Sequence, residues 1–123
     1  MSGNNLFADT NILIYLLDKD DALLPILDKK IIYISFVSEL EVLSAKNYSA
    51  GEKRKIEIML EDCIIVDINP EIKKLTVHHR SNNSLKLPDA IIAATAQYFS
   101  FPLITADKNF NKVKEIDVLL YEK

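Results

Sequence analysis

Hydrophobic positions along this chain form two alternating kinds of run. Leu6-Phe7-Ala8, Ile31-Ile32-Tyr33-Ile34, Cys63-Ile64-Ile65-Val66, a segment within residues 101–105 and Val118-Leu119-Leu120-Tyr121 are short and apolar. Most are continuous rather than alternating, as strands covered on both faces are. Between them, apolar residues recur at helical spacing. Ile12, Leu13, Tyr15, Leu16 and Leu17 mark a helix over 10–18, and a shorter helical piece is expected over 23–27. Helices are predicted over 37–48 and over 52–61, where Ile56, Met59 and Leu60 share a face, with Gly51 expected to break the chain between them. Pro70 starts a further helix with Ile72, Leu75 and Val77 as its apolar positions. Ser81-Asn82-Asn83-Ser84 reads as a turn, and Pro88 begins a last helix, very apolar from Ala90 to Tyr98.

Strands that alternate with helices predict an α/β fold with a central, mainly parallel sheet of about five strands. The helix after Pro88 is apolar nearly all round and should be the most buried. Sheets of this kind bind ligands outside the carboxyl ends of their strands, so carboxylates placed there carry the functional interest.

Composition narrows the classes without choosing among them. Residues 1–123 are expected to form a single domain, since 2 Gly and 4 Pro leave little material for linkers. A hydrophobic share of 49% against 27% charged residues is that of a globular protein, and no apolar stretch approaches the ~20 residues of a membrane span. Met1-Ser2-Gly3-Asn4-Asn5 lacks the pattern of a secretory signal, which suggests a cytoplasmic protein with no membrane partner. The single Cys63 excludes an internal disulfide and reads as a packing residue in a buried strand. A net charge of -3 argues against binding nucleic acid through a broad basic surface. It leaves open an enzyme that meets nucleic acid locally, because acidic residues around a metal would themselves make the count negative.

Four carboxylates stand where the predicted fold would use them, and each has a plain structural alternative. Asp9 ends the first strand and suits an N-cap of the following helix. Glu41 follows the second strand, and Ser38-x-x-Glu41 fits a capping box. Glu41 lies four residues after Val37 and so shares its inward face, whereas Glu39 points toward solvent. Asp89, just after Pro88, suits the second position of a first helical turn, where negative charge complements the helix dipole. Asp107 follows the fourth strand and could organise a turn. Taken together, four elements bring one carboxylate each to the same sheet edge. Such a group would repel and take up protons unless a cation compensated it. Oxygen donors without His or Cys select Mg²⁺ or Mn²⁺, ions that activate water and stabilise a leaving oxygen of a phosphodiester.

At these residues the chain resembles the PIN domain, and most closely the VapC-type toxins of bacterial toxin–antitoxin pairs. Phe7-Ala8-Asp9-Thr10-Asn11-Ile12-Leu13-Ile14-Tyr15 is similar to the family's opening Asp-Thr-Asn segment, and residues 34–44 to its second block, with Glu41 at the catalytic glutamate. Leu87-Pro88-Asp89-Ala90 resembles its Leu-Pro-Asp-Ala helix, and Pro102-Leu103-Ile104-Thr105-Ala106-Asp107 with Phe110 its last block. The resemblance implies a three-layer α/β/α fold and Mg²⁺- or Mn²⁺-dependent endonucleolytic cleavage of RNA. It also implies a homodimer, and inhibition by a cognate antitoxin protein in a type II pair. Asp9, Glu41, Asp89 and Asp107 would hold the metal. Thr10, Asn11 and Thr105 would support them, although the two threonines could equally be ordinary turn hydroxyls. Some relatives carry a further acidic residue where this chain has Asn109 and Asn111, which leaves one or two ions open.

Other features are read as structural. His78 and His79 are adjacent, face different sides of a helix and have no Cys or third His beside them, so a zinc site is not expected. Lys53-Arg54-Lys55 reads as a solvated helix face and Ile12, Leu13, Leu16 and Leu17 as core. Two rival functions remain. A receiver-like phosphoacceptor domain would need Asp67 as its acceptor, and a non-catalytic PIN-like module would only bind RNA or a protein.

Overall fold

In a computed structural model of the chain, which describes residues 3–122, the first apolar run becomes strand β1 (Asn5–Ala8) and turns at Asp9 into helix α1 (Thr10–Leu17). Met1 and Ser2, read above for targeting signals, lie outside the described residues. The chain continues through α2 (Leu24–Leu27), β2 (Ile31–Ser35), α3 (Phe36–Ser44), α4 (Ala50–Glu61), β3 (Ile64–Val66), α5 (Pro70–Asn82), α6 (Leu87–Phe99) and β4 (Leu103–Thr105). A 3₁₀ turn over Lys108–Lys112 leads to β5 (Val118–Leu120). The strands form one sheet in the order β3-β2-β1-β4-β5, with every pairing parallel.

Side chains alternate along each strand and so feed two separate cores. Leu6, Ala8, Ile34 and Ile104 point to the face covered by α1, α3 and α4, where they meet Ile12, Leu13, Val42 and Ile56. Phe7 and Leu103 point to the other face and pack with Ala90, Ile92, Ala93 and Ala96 of α6, closed off by Phe110 and Val113. The result is the expected three-layer α/β/α arrangement. The prediction for α6 also holds, since six of its residues from Ala90 to Ala96 are buried.

Several boundaries differ from the sequence expectation, each for a local reason. Helix α3 stops at Ser44 rather than reaching Tyr48, whose hydroxyl instead donates to the Val42 carbonyl. Gly51 does not break the chain. It lies in the first turn of α4, whose start is set by a capping box between Ser49 and Glu52. The expected turn at 81–84 is half helix, because α5 runs through Asn82 and ends at Asn83. Val77 of α5 is 65% exposed, and the inward stripe is Ile72, Thr76 and His79. Cys63 precedes β3, which is an edge strand with Ile64 exposed rather than a fully buried one. The Cys63 thiol is partly buried and is pushed up to about 11, chiefly by that burial and then by Asp62, so it is an inert packing group.

Strand order also locates the site. From β1 the sheet grows through β2 and β3 on one side, then β4 and β5 are added on the other. The change of direction falls between β1 and β4, and the crevice at such a switch point is where open α/β sheets bind ligands.

Candidate active site

Asp9 leaves β1 at this switch point. Parallel pairing sets Ala8 opposite Ile104, and the Asp9 amide donates to the Ile104 carbonyl at 3.2 Å. This alignment brings Thr105, the last residue of β4, to Asp9. Its hydroxyl donates to Asp9 Oδ2 while accepting the Asp107 amide at 3.0 Å. Asp9 Oδ1 accepts the Ile12 amide at 3.2 Å, so the capping role is real. Asp9 is only 4% exposed, yet its carboxylate lines an open cleft of about 420 Å³.

Glu41, Asp89 and Asp107 line the same cleft, together with Thr10, Asn11 and Ile14. Glu41 reaches it by a different route from the one expected. The Ser38–Glu41 capping box does not form, because Ser35 is the N-cap of α3 and accepts the Val37 amide. Nor is Glu41 on a buried stripe, since it is exposed while Glu39 is the more shielded of the two. Its partner is Thr10, whose hydroxyl donates to Glu41 Oε1 at 2.6 Å. A hydroxyl has a single hydrogen, so the 2.9 Å contact between Thr10 and Ser38 is a donation from the buried Ser38 to Thr10. Ser38 is thus a supporting residue that sequence reading missed. Its spacing from Glu41, three residues along one helix face, was the available signal.

Asp89 is the third residue of α6, after Leu87 and Pro88, one place further in than expected. Its carboxylate has no hydrogen-bond partner among the described residues. Asp107 caps the 3₁₀ turn by accepting the Asn109 amide at 2.9 Å, which leaves its other oxygen uncommitted. The turn-forming and cleft-lining readings of Asp107 are therefore compatible. Asn11 lines the cleft as an exposed residue.

Electrostatics follow from this crowding. Burial pushes the Asp9 carboxyl up to about 6 against the hydrogen bonds from Thr105 and Ile12, and Asp107 and Asp89 raise it further. Asp89 is raised first by burial, then by Asp107 and Glu41, with Lys86 opposing. No Lys or Arg is among the residues that line the cleft. Carboxylates crowded around Asp9 and Asp89, with no Lys or Arg lining the cleft among the described residues, fit a hard divalent cation. No three of them bring oxygens within 4.8 Å of one another among the described residues. Asp67, the acceptor that a receiver domain would need, follows the edge strand β3 and is not part of this cleft. No helix among the described residues is long and apolar enough to cross a membrane.

Comparison with known proteins agrees with this fold. The structure is similar to a chain in a toxin–antitoxin complex from Klebsiella pneumoniae, with 30% sequence identity and a TM-score of 0.81 over 96% of this chain and 99% of that one. It is similar in fold to a chain of VapBC2 from Rickettsia felis bound to a promoter DNA fragment, at 20% identity and a TM-score of 0.82 over 96% and 99% of the two chains. A chain of VapBC-1 from nontypeable Haemophilus influenzae gives 20% identity and a TM-score of 0.78 over 94% and 97%. No curated protein shows significant sequence similarity to this chain. The PIN domain model matches residues 6–116, which include all four cleft carboxylates and the switch point between β1 and β4. The chain belongs to the PIN domain family.

Proposed function

We propose that this protein is a metal-dependent endoribonuclease, the toxin of a type II toxin–antitoxin pair. The observation that carries the reading is the convergence of Asp9, Glu41, Asp89 and Asp107 on one cleft at the sheet's switch point. Family membership supports nuclease chemistry, and the likeness to a chain of the Klebsiella pneumoniae complex supports an antitoxin partner.

A phosphodiester entering the cleft adds negative charge to four carboxylates, so these residues serve the reaction only as holders of a cation. When bound, a Mg²⁺ or Mn²⁺ ion would supply the neutralising charge and make its water more acidic, and so easier to turn into a nucleophile. Asp9, Glu41, Asp89 and Asp107 would hold that ion, directly or through water. Thr105 keeps Asp9 from rotating, and Thr10, backed by Ser38, does the same for Glu41. These hydroxyls fix the carboxylates before the ion arrives, which reduces the ordering that binding requires. Asp89 and the second oxygen of Asp107 keep lone pairs for the ion or its water.

An RNA cleavage panel with Mg²⁺, Mn²⁺ or EDTA tests the reading. Cleavage with either ion and none in EDTA is expected, and cleavage that persists in excess EDTA would overturn it. Co-expression with the product of a short neighbouring reading frame is expected to suppress cleavage and to co-purify. Light scattering of the purified chain is expected to give a homodimer.

A further inference from the structure

The end of α5 carries a second cluster of donor atoms, which the proposed reaction does not use. His78, His79 and Glu115 each offer one ligand atom, and these lie within 4.8 Å of one another, the one such group of three among the described residues. Read from sequence, the two histidines lacked a third ligand. The fold supplies it from the segment before β5, 37 positions beyond His78.

His79 is fully buried, and its hydrogen bonds define its tautomer. Nδ1 lies 2.8 Å from Nδ2 of Asn83, an amide nitrogen that only donates, so Nδ1 carries the lone pair. Nε2 therefore carries the proton and donates to Gln97 Oε1 at 2.8 Å. A side-chain acceptor that takes one ring N–H and presents the other nitrogen as a lone pair is how ligating histidines are held. Asn83 Nδ2 also donates to Glu115 Oε1 at 3.3 Å. An electropositive NH₂ group thus bridges an imidazole lone pair and a carboxylate, the position that a cation would take. His78 completes the set: Nε2 is 2.5 Å from Glu115 Oε2, and Nδ1 is 3.1 Å from the exposed Asn82 amide. If that amide turns over, its oxygen accepts Nδ1–H and Nε2 is left as a ligand.

We propose that His78, His79 and Glu115 form a zinc-class metal site, entered by displacement of the Asn83 side chain, that clamps the end of α5 to the segment before β5. As the metal–nitrogen bond forms, His78 gives its Nε2 proton to solvent and takes one from solvent at Nδ1, where the turned Asn82 oxygen accepts it, so the ring stays neutral. Two imidazoles and a carboxylate select Zn²⁺, with Co²⁺ and Ni²⁺ as substitutes, over the Mg²⁺ or Mn²⁺ suited to the carboxylate cleft. The fourth position is left to water. The His78 and Glu115 side chains are 40% and 29% exposed, so an ion can reach them from solvent. The sites are independent: Asp89 and Gln97 lie on the same helix, eight residues and about 12 Å apart along its axis.

The test is a chelator-buffered Zn²⁺ titration of the metal-free full chain, without a histidine tag and with excess Mg²⁺ present. One equivalent of Zn²⁺ is expected to bind and to raise Tm by several degrees. Co²⁺ in its place is expected to give the intense visible absorption of a four-coordinate site. His78→Gln and Glu115→Gln, both at partly exposed positions, should each weaken binding by at least about tenfold, while Asp9→Asn should not. Absence of saturable binding overturns the proposal. So does binding that survives both substitutions, or that disappears with Asp9→Asn.

Discussion

At its first turn, α6 presents Asp89 to an open cleft of oxygen donors; near its last turn, Gln97 holds a buried histidine inside a closed network. The cleft carboxylates repel one another, and Asp89 has no hydrogen-bond partner among the described residues. At the other end each ring nitrogen of His78 and His79 already has one. The cleft therefore carries uncompensated charge, which suits turnover at a hydrated hard cation. The histidine end has almost none, which suits a part that holds still. Similar numbers of donor side chains thus stand in opposite electrostatic settings, according to how far the surrounding protein satisfies them.

The largest effect that would test this contrast is on cleavage. Asp9→Asn keeps the size of the side chain and removes its charge, and it should lower RNA cleavage on the order of 10³-fold or more in a fluorescent-substrate assay. A fall of less than tenfold would mean that the cleft is not organised around Asp9.

Next comes the pH dependence of the metal-free protein. The folded-state pKa of Asp9 is raised from 3.8 to about 6, so the folded state binds the proton more tightly than the unfolded one. Its contribution is thus fully present below about pH 4 and is lost as pH rises through about 6, a swing of up to about 3 kcal/mol. Asp89 acts in the same direction, while Glu52 and Glu115 are lowered and oppose it. Urea unfolding of the wild type against Asp9→Asn across this range isolates the Asp9 part, and parallel curves would refute it. Adding Mg²⁺ should reverse the slope, since binding favours the ionised carboxyl.

Thr105→Val removes the hydroxyl that anchors Asp9 and should lower metal affinity or cleavage about ten- to a hundredfold with the fold intact. Magnesium titration of cleavage rates would separate the two. The smallest effect on the cleft is expected from Gln97→Leu. Loss of the His79 partner should destabilise the protein by about 1–3 kcal/mol in denaturant unfolding, yet leave cleavage by the folded enzyme within about twofold of wild type. A larger loss of cleavage would show that the two ends of α6 are coupled.

How much of this could be read in advance varies by element. The strands and α6 were legible because continuous apolar runs have few alternatives to burial. Helix α5 was less so, since its inward stripe includes Thr76 and His79, polar residues whose partners lie on neighbouring turns and on α6. Apolar periodicity pointed to Val77 instead, which is exposed. Glu41 was preferred over Glu39 from helix phase, but the supposed core-facing stripe is a solvent-exposed cleft wall. Phase sets direction around a helix, whereas only packing decides whether protein or solvent lies there. Thr10 was named as a supporting residue, but its link to Ser38 escaped notice because it joins two helices 28 residues apart in the chain.

From sequence alone came the alternation of strands and helices, the four carboxylates near their junctions and the resemblance of their surroundings to the PIN domain. Those depend on local spacing and on residue type, which the chain carries before it folds. Tertiary structure decided the strand order that puts the switch point between β1 and β4, and hence which carboxylates share a cleft. It also decided that Glu115 meets His78 and His79. Both are contacts between segments distant in sequence, determined by how apolar faces pack together, and no local pattern encodes the partner.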